Sequence, residues 1–166
     1  MLLINKIIEA LYLRQKNNLV YYDSMTRVKS RMYYDRVAKT KYLNKKCMVI
    51  FVDINCLKIV NDTKGHTEGN VLIETVAREL NSCENIYDVC RIGGDEFVMF
   101  ASPEFDTHVL NNIKQISYGF YVKDVYEEVS SAVKKADEYM YNRKRKIHKR
   151  MERHSNENIV SMQARG

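Results

Sequence analysis

Arg91-Ile92-Gly93-Gly94-Asp95-Glu96-Phe97-Val98-Met99-Phe100 sets two adjacent carboxylates at a glycine turn between two apolar segments. Residues Asn85 to Cys90 and Phe97 to Phe100 are rich in Ile, Val, Tyr and Phe and read as strands. Gly93-Gly94 reads as a tight hairpin turn in which φ > 0 costs little. The acids then stand at the rim of a sheet, held by rigid neighbours on both sides. Taken alone, such a turn is most often just a solvated hairpin tip.

A second segment changes that reading. In Cys47-Met48-Val49-Ile50-Phe51-Val52-Asp53-Ile54-Asn55 an apolar run ends on an acid, the pattern of a buried central strand that delivers a carboxylate to the sheet edge. A helix is predicted further on, at roughly Glu68 to Leu80. Two strands bringing Asp53 and the Asp95/Glu96 pair to one edge make a hard-oxygen site suited to Mg²⁺.

On these residues the chain resembles the GGDEF domain of the diguanylate cyclase family. The signature stands as Gly93-Gly94-Asp95-Glu96-Phe97 behind Arg91. The block from Asp53 through Asn61-Asp62, Gly65-His66 and Gly69-Asn70 is similar to the family's aspartate strand and nucleotide-binding helices. Ala136-Asp137-Glu138-Tyr139-Met140-Tyr141-Asn142-Arg143-Lys144 resembles the helix that supplies a phosphate-binding lysine. A fainter likeness runs over Asp23-Ser24-Met25-Thr26-Arg27-Val28-Lys29-Ser30-Arg31. The resemblance covers about Asp23 to Lys144.

The resemblance implies an α+β, palm-like fold with a mostly antiparallel central sheet flanked by helices. It implies a cyclic-dinucleotide synthase that joins two GTP, with GTP and ATP as the mixed alternative, and expels pyrophosphate. Two Mg²⁺ or Mn²⁺ ions per active site would be held by Asp53, the carbonyl of Ile54, Asp95 and Glu96, and Asp53, Asp95 and Glu96 would be the catalytic acids. Asn55, Cys56, Leu57 and Lys58 would offer backbone N–H groups to phosphate at the start of a short helix. Lys144 would reach the β/γ-phosphates, and Asn61 with Asn70 would read the purine. Each chain would hold one nucleotide, so catalysis would need a homodimer.

Several positions depart from the family pattern. Asn70 replaces an aspartate, and an amide matches one donor and one acceptor where a carboxylate matches guanine's paired donors, so product identity stays open. Ile147-His148-Lys149 stands where a Gly-Arg-Asn element would supply a second phosphate contact, which leaves His148 or a nearby basic residue as a substitute. Glu84 and Tyr87 occupy the positions of an inhibitory Arg-x-x-Asp motif, so that site is expected to be missing. Ser117-x-Gly119 has a family counterpart, but its distance from Phe97 is short, and the domain reads as trimmed. These departures keep a second reading open: a catalytically weak module that binds a purine nucleotide or a partner protein.

The rest of the chain is consistent with one domain. Its 166 residues are 45% hydrophobic and 29% charged, ordinary for a globular protein. The predicted organisation is an amphipathic helix at 1–22, a catalytic domain at 23–150 and a tail at 151–166 that could add an edge strand at Ile159 to Met162. Leu3, Ile4, Ile7, Ile8, Leu11 and Tyr12 form the apolar side of the first helix, which could pair with a partner chain. A helix is expected from Arg31 to Lys41, capped by Ser30, another at about Phe105 to Asn112, a strand over Ile116 to Val122, and a long helix from about Val125 to Lys146. Almost nothing precedes the first helix, so no sensor in the same chain is expected.

No apolar stretch reaches membrane-span length and no secretory signal is evident, which points to the cytoplasm and away from membranes. The four cysteines, Cys47, Cys56, Cys83 and Cys90, lie in or beside apolar segments and read as reduced residues in or near the core. The histidines form no ligand pair. Much of the +6 charge lies in Arg143 to Arg150, a run that reads as a solvated helix end. It lacks the aromatic interleaving of a nucleic-acid interface.

Overall fold

β1 (Cys47–Ile54) is the strand around which the other elements are arranged, because its side chains are buried on both faces. A computed structural model of the protein describes residues 2–145. Its elements are α1 (Leu2–Tyr21), α2 (Arg31–Tyr33), a π-helical stretch (Tyr34–Ala38), α3 (Lys39–Lys41), β1, α4 (Leu57–Lys64), α5 (His66–Asn81), β2 (Ile86–Arg91), β3 (Glu96–Ala101), a 3₁₀ helix (Thr107–Asn112) and β4 (Ile116–Lys123). A last helix, α6, begins at 129 and is followed as far as 145. The edge strand expected at Ile159 to Met162 and the positions Ile147-His148-Lys149 lie outside the described residues.

The four strands form one antiparallel sheet in the order β2-β3-β1-β4. The two-residue period of β1 divides the core. Met48, Ile50, Val52 and Ile54 face α5 through Ile73, Val76, Ala77 and Leu80. Cys47, Val49 and Phe51 face the other way, toward Tyr33, Tyr34, Ala38 and Tyr42 and toward Val129, Ala132, Ala136 and Met140 of α6. At a fully buried position such as Ile50, truncation to Ala costs about 2–5 kcal/mol.

This alternation also sets the direction of the acids. Asp53 continues the odd-numbered series of β1, and Glu96 lies opposite it in register and continues the even-numbered series of Val98 and Phe100. Both therefore belong to the face covered by α6. On α6 the buried stripe Val129, Ala132, Ala136, Met140 runs on into Lys144 at the next helical step.

Several expected elements are adjusted. Gly93 and Gly94 do not take φ > 0; among the described glycines only Gly65 does, at +87°. The turn is a longer loop in which the N–H groups of Ile92 and Gly93 both donate to the Glu96 carbonyl. Gly93 instead leaves room for Glu96: a Cβ there would meet the end of the folded-back Glu96 side chain, which would have to turn aside. The Arg31 to Lys41 helix has a π-helical middle, although Ser30 does cap it, its Oγ accepting the Tyr33 N–H at 3.2 Å. The helix expected from Phe105 is a 3₁₀ helix that opens on an Asp106 cap.

The last helix starts at 129 rather than 125, because Asp124 to Glu128 are spent in a turn. Cys56 is exposed rather than near the core, while Cys47 and Cys90 are buried as expected, and all four cysteines are free. Tyr141 also faces solvent.

Candidate active site

The chain leaves β1 after Ile54, one residue past Asp53, and turns at once into the wall of a cleft. Cys56 adopts a left-handed conformation (φ 61°) and starts α4, so the peptide groups of Asn55 to Lys58 turn at the helix N-terminus. Two bonds tie this turn to the neighbouring strand. The Asn55 N–H donates to the Gln115 carbonyl at 2.7 Å, and Ser117 Oγ donates to Asn55 Oδ1 at 2.8 Å. Ser117 is itself the register partner of Asp53 on β4.

The signature loop is held from three sides. The Ile54 N–H donates to the Asp95 carbonyl at 2.9 Å, Arg91 donates to the Gly94 carbonyl at 2.8 Å, and Arg31 donates to the Ile92 carbonyl at 2.9 Å. Arg91 also pairs with Asp23 at 3.2 Å, which explains why the early Asp23 to Arg31 segment goes with the signature. Burial alone would raise the Asp23 pKa, but two hydrogen bonds from Thr26 and the Arg91 charge outweigh it and hold the carboxylate below its usual range.

Asp53, Ile54, Asn55, Cys56, Leu57, Lys58, Asp95 and Lys144 converge on one open cleft of about 760 Å³. Ile116, Ser117 and Arg145 complete its wall; none of these was assigned a role from sequence, although Ser117-x-Gly119 was the available signal. Glu96, Asn61 and Asn70 do not line the cleft. Glu96 folds back over Gly93, the Asn61 side chain lies in the space that a Cβ on Gly69 would fill, and Asn70 is exposed on α5.

The electrostatics of the cleft are those of crowded carboxylates. Glu96 has its pKa raised by burial and then by the charges of Asp95, Asp53 and Asp137, partly offset by Arg31. Asp137 on α6 is raised by burial, by Glu138 and by Asp53, with Lys144 opposing. Asp137 is thus a further acid in this field that was quoted in a motif but not singled out. Lys144 answers the crowding directly: its Nζ donates to Asp53 Oδ1.

Among the described residues, no group of three or more His, Cys, Asp and Glu side chains is arranged to hold a metal ion. Lys144 takes one Asp53 oxygen and Glu96 is turned toward Gly93. The donor set nevertheless fits a divalent cation. Two hard-oxygen carboxylates share one cleft, and the repulsion that raises Glu96 is the kind that a divalent cation relieves.

A four-stranded antiparallel sheet with helices on both faces, and acids at the end of its central strand, defines an α+β palm-like domain. The family described as "Diguanylate cyclase, GGDEF domain" matches residues 20–110, and the chain belongs to that family. It is 32% identical over 94 residues to signaling protein YkoW of Bacillus subtilis, a stretch that is 52% of this chain and 12% of that protein. To diguanylate cyclase DgcP of Escherichia coli it is 37% identical over 60 residues, 36% of this chain and 18% of that one. The chain thus spans less than a fifth of these curated relatives. Among solved structures, the coiled coil and GGDEF domain of DgcB from Caulobacter crescentus in complex with c-di-GMP superposes with a TM-score of 0.71. The identity there is 22%, covering 86% of this chain and 92% of that one, so the likeness carries the fold. Among the described residues, no helix is long and apolar enough to cross a membrane.

Proposed function

We propose that the chain is a nucleotidyltransferase of the diguanylate cyclase type. It joins two GTP, or GTP and ATP, into a 3′-5′ cyclic dinucleotide and releases pyrophosphate, with two chains meeting so that each presents one nucleotide. The observation that carries this reading is the convergence of Asp53, Asp95 and Lys144 on one cleft that opens at the start of α4.

Asp53, Asp95 and the Ile54 carbonyl are the groups suited to hold Mg²⁺ or Mn²⁺, with Glu96 joining when its side chain swings away from Gly93. The ions, when bound, lower the pKa of the attacking hydroxyl and neutralise the leaving charge. The protein's own part is binding and positioning. The N–H groups at the α4 N-terminus favour phosphate, and Ser117 keeps Asn55 in place for that task. Lys144 exchanges the Asp53 carboxylate for the triphosphate. Arg145 and Lys58 line the same cleft and are suited to give a second cationic contact, since Ile147-His148-Lys149 replaces the Gly-Arg-Asn element. Asn61, seated against Gly69, and Asn70 read the base.

The test is to incubate the protein with Mg²⁺ and GTP, ATP or both, and to identify products by mass spectrometry. Cyclic dinucleotide is expected from the native chain and none from Asp53→Ala or Asp95→Ala. Nucleotide binding without cyclic product in any mixture would replace this reading with the second one, a binding module. That alternative draws on Asn70 and on the ion pair that occupies Asp53.

A further inference from the structure

We infer that Arg143 is a positioning residue: it straps the last described turn of α6 across the outer edge of β4 to the 3₁₀ helix, and so aims Lys144 at the cleft. β4 is the outermost strand on that side of the sheet. The 3₁₀ helix belongs to the α5 face through Leu110, and α6 covers the opposite face. A contact between the two has to pass round the strand.

The strap is a ring stack and a shared oxygen. The Arg143 guanidinium lies over the Tyr118 ring, 4.4 Å from its centroid, and Nη2 donates to Asn111 Oδ1 at 3.2 Å. The same oxygen accepts from the Tyr118 hydroxyl at 2.8 Å, with the Thr107 carbonyl 3.0 Å away as a second acceptor for that hydroxyl. Tyr118 is buried and belongs to β4, so its ring is a fixed base for the guanidinium. Among the described residues Arg143 forms no ion pair, and the stack and the amide are what locate it.

This end of α6 needs such an anchor. The buried stripe of the helix reaches Met140, after which Tyr141, Asn142, Arg143 and Arg145 are exposed. Leu110, Ile113 and Met140, with Arg143 and Lys144, line a cavity of about 220 Å³, so apolar packing does not close the gap between α6 and the 3₁₀ helix. A helix end lacks the onward hydrogen bonds that hold its interior, and a lysine carries its charge on a flexible stem. Arg143 and Lys144 are adjacent and point about 100° apart around the helix. Fixing the first against β4 therefore fixes the rotation of the turn that presents the second to Asp53. Arg143 does not line the cleft, whereas Lys144 does, so it acts through its neighbour.

The inference rests on the phosphate-binding role proposed for Lys144, and two readouts keep it distinguishable from that reading. Amide hydrogen exchange, followed by NMR, needs neither nucleotide nor turnover. Arg143→Gln is expected to speed exchange at residues 141–145 about threefold or more and to leave β1 unchanged. The second readout is affinity for the α,β-methylene analogue of GTP, which cannot release pyrophosphate. It should fall about threefold in Arg143→Gln and by a similar factor in Asn111→Ala, a change outside the cleft, as for one lost hydrogen bond. Arg143→Lys keeps the charge but not the planar fork that stacks on Tyr118, and should behave as Arg143→Gln does. In a Lys144→Met background Arg143→Gln should have no further effect on the analogue, because the group it aims is gone.

Native exchange rates at 141–145 in Arg143→Gln would overturn the inference. So would native affinity in Arg143→Lys, which would make the effect one of charge, or an undiminished loss in the Lys144→Met background, which would make it direct or general. A native chain that does not bind the analogue at all would overturn the function proposed for the cleft, while the exchange rates would still decide whether Arg143 anchors the turn.

Discussion

Lys144 Nζ donates to Asp53 Oδ1, so the last described turn of α6 places its own cation on the carboxylate at the end of β1. Both side chains are partly exposed, 34% and 22%, which makes this pair worth about 1 kcal/mol at most. A divalent cation arriving at Asp53 must displace that ammonium, and a triphosphate offers the ammonium a more highly charged partner. Lys144→Met is therefore expected to tighten binding of Mn²⁺ alone by up to about fivefold, the equivalent of that pair energy, while weakening GTP. An EPR titration of free Mn²⁺ with and without GTP reads both. Mn²⁺ affinity that falls in Lys144→Met would contradict the exchange.

The two acids that share the cleft are expected to be needed for chemistry rather than for folding. Asp53→Asn and Asp95→Asn keep size and hydrogen-bonding capacity but remove charge. Metal-assisted charge stabilisation is worth several kcal/mol, so turnover should fall by more than about a hundredfold. Unfolding midpoints should be unchanged or raised for Asp95→Asn, which relieves repulsion with Glu96, and stability should move by no more than about 1 kcal/mol for Asp53→Asn, which relieves the same repulsion but gives up the Lys144 pair. Retained turnover in Asp95→Asn would remove Asp95 from the ligand set.

Glu96 gives a pH prediction with a definite sign. Its pKa is raised in the folded state by burial and by Asp95, Asp53 and Asp137, so the folded protein holds this proton more tightly than the unfolded chain does. The favourable contribution is complete below the ordinary glutamate value and is lost as pH rises through the raised one. At neutral pH ionised Glu96 thus destabilises the fold, and Glu96→Gln should raise the unfolding temperature there. The gain should shrink toward zero at about pH 4, near the ordinary glutamate value. A gain that persists undiminished in acid would point to packing instead of charge.

Base choice is expected to respond to position 70. The Asn70 amide offers one donor and one acceptor, and a carboxylate would offer two acceptors to the paired donors of guanine. Asn70→Asp should raise the guanine share of the product from an equimolar GTP and ATP mixture, read by mass spectrometry. Asn70 is exposed, so the change should not alter stability. An unchanged product ratio would remove Asn70 from base reading.

The parts of this molecule that could be read from sequence are those fixed by local pattern. The uninterrupted apolar run of β1 fixes its place at the sheet's centre, and its two-residue period carries Asp53 onto the α6 face. The mixture of polar and apolar residues at Val125 and Tyr126 resembles a helical start, yet Asp124 caps a turn by accepting the Val125 N–H, and the helix waits until 129. Gly93-Gly94 suggested a backbone need for φ > 0, whereas neither glycine takes it and Gly93 instead gives room to the folded-back side chain of Glu96, three residues on. Contacts between distant segments were out of reach. Nothing local links Arg91 to Asp23, Lys123 to the loop at Leu43 or Tyr42 to Asp88, because each pairing exists only once the sheet has assembled.

Gly119 shows how such a long-range demand can be tested. A Cβ at this position on β4 would collide with the backbone N of Met140 and the carbonyl of Ala136, so α6 lies directly on the strand there. The obstructing atoms are main chain, which cannot rotate aside as a side-chain end can. Gly119→Ala must therefore lift α6 from the sheet or bend β4, at about 1–3 kcal/mol for overpacking. Lifting the helix also carries Lys144 away from Asp53, one turn beyond Met140. Urea unfolding should show the loss of stability, and the Mn²⁺ titration should move in the same direction as for Lys144→Met, by a smaller amount. A destabilised Gly119→Ala protein with native Mn²⁺ affinity would mean that β4 yields and α6 stays, so that the seat of Lys144 is set by the helix alone.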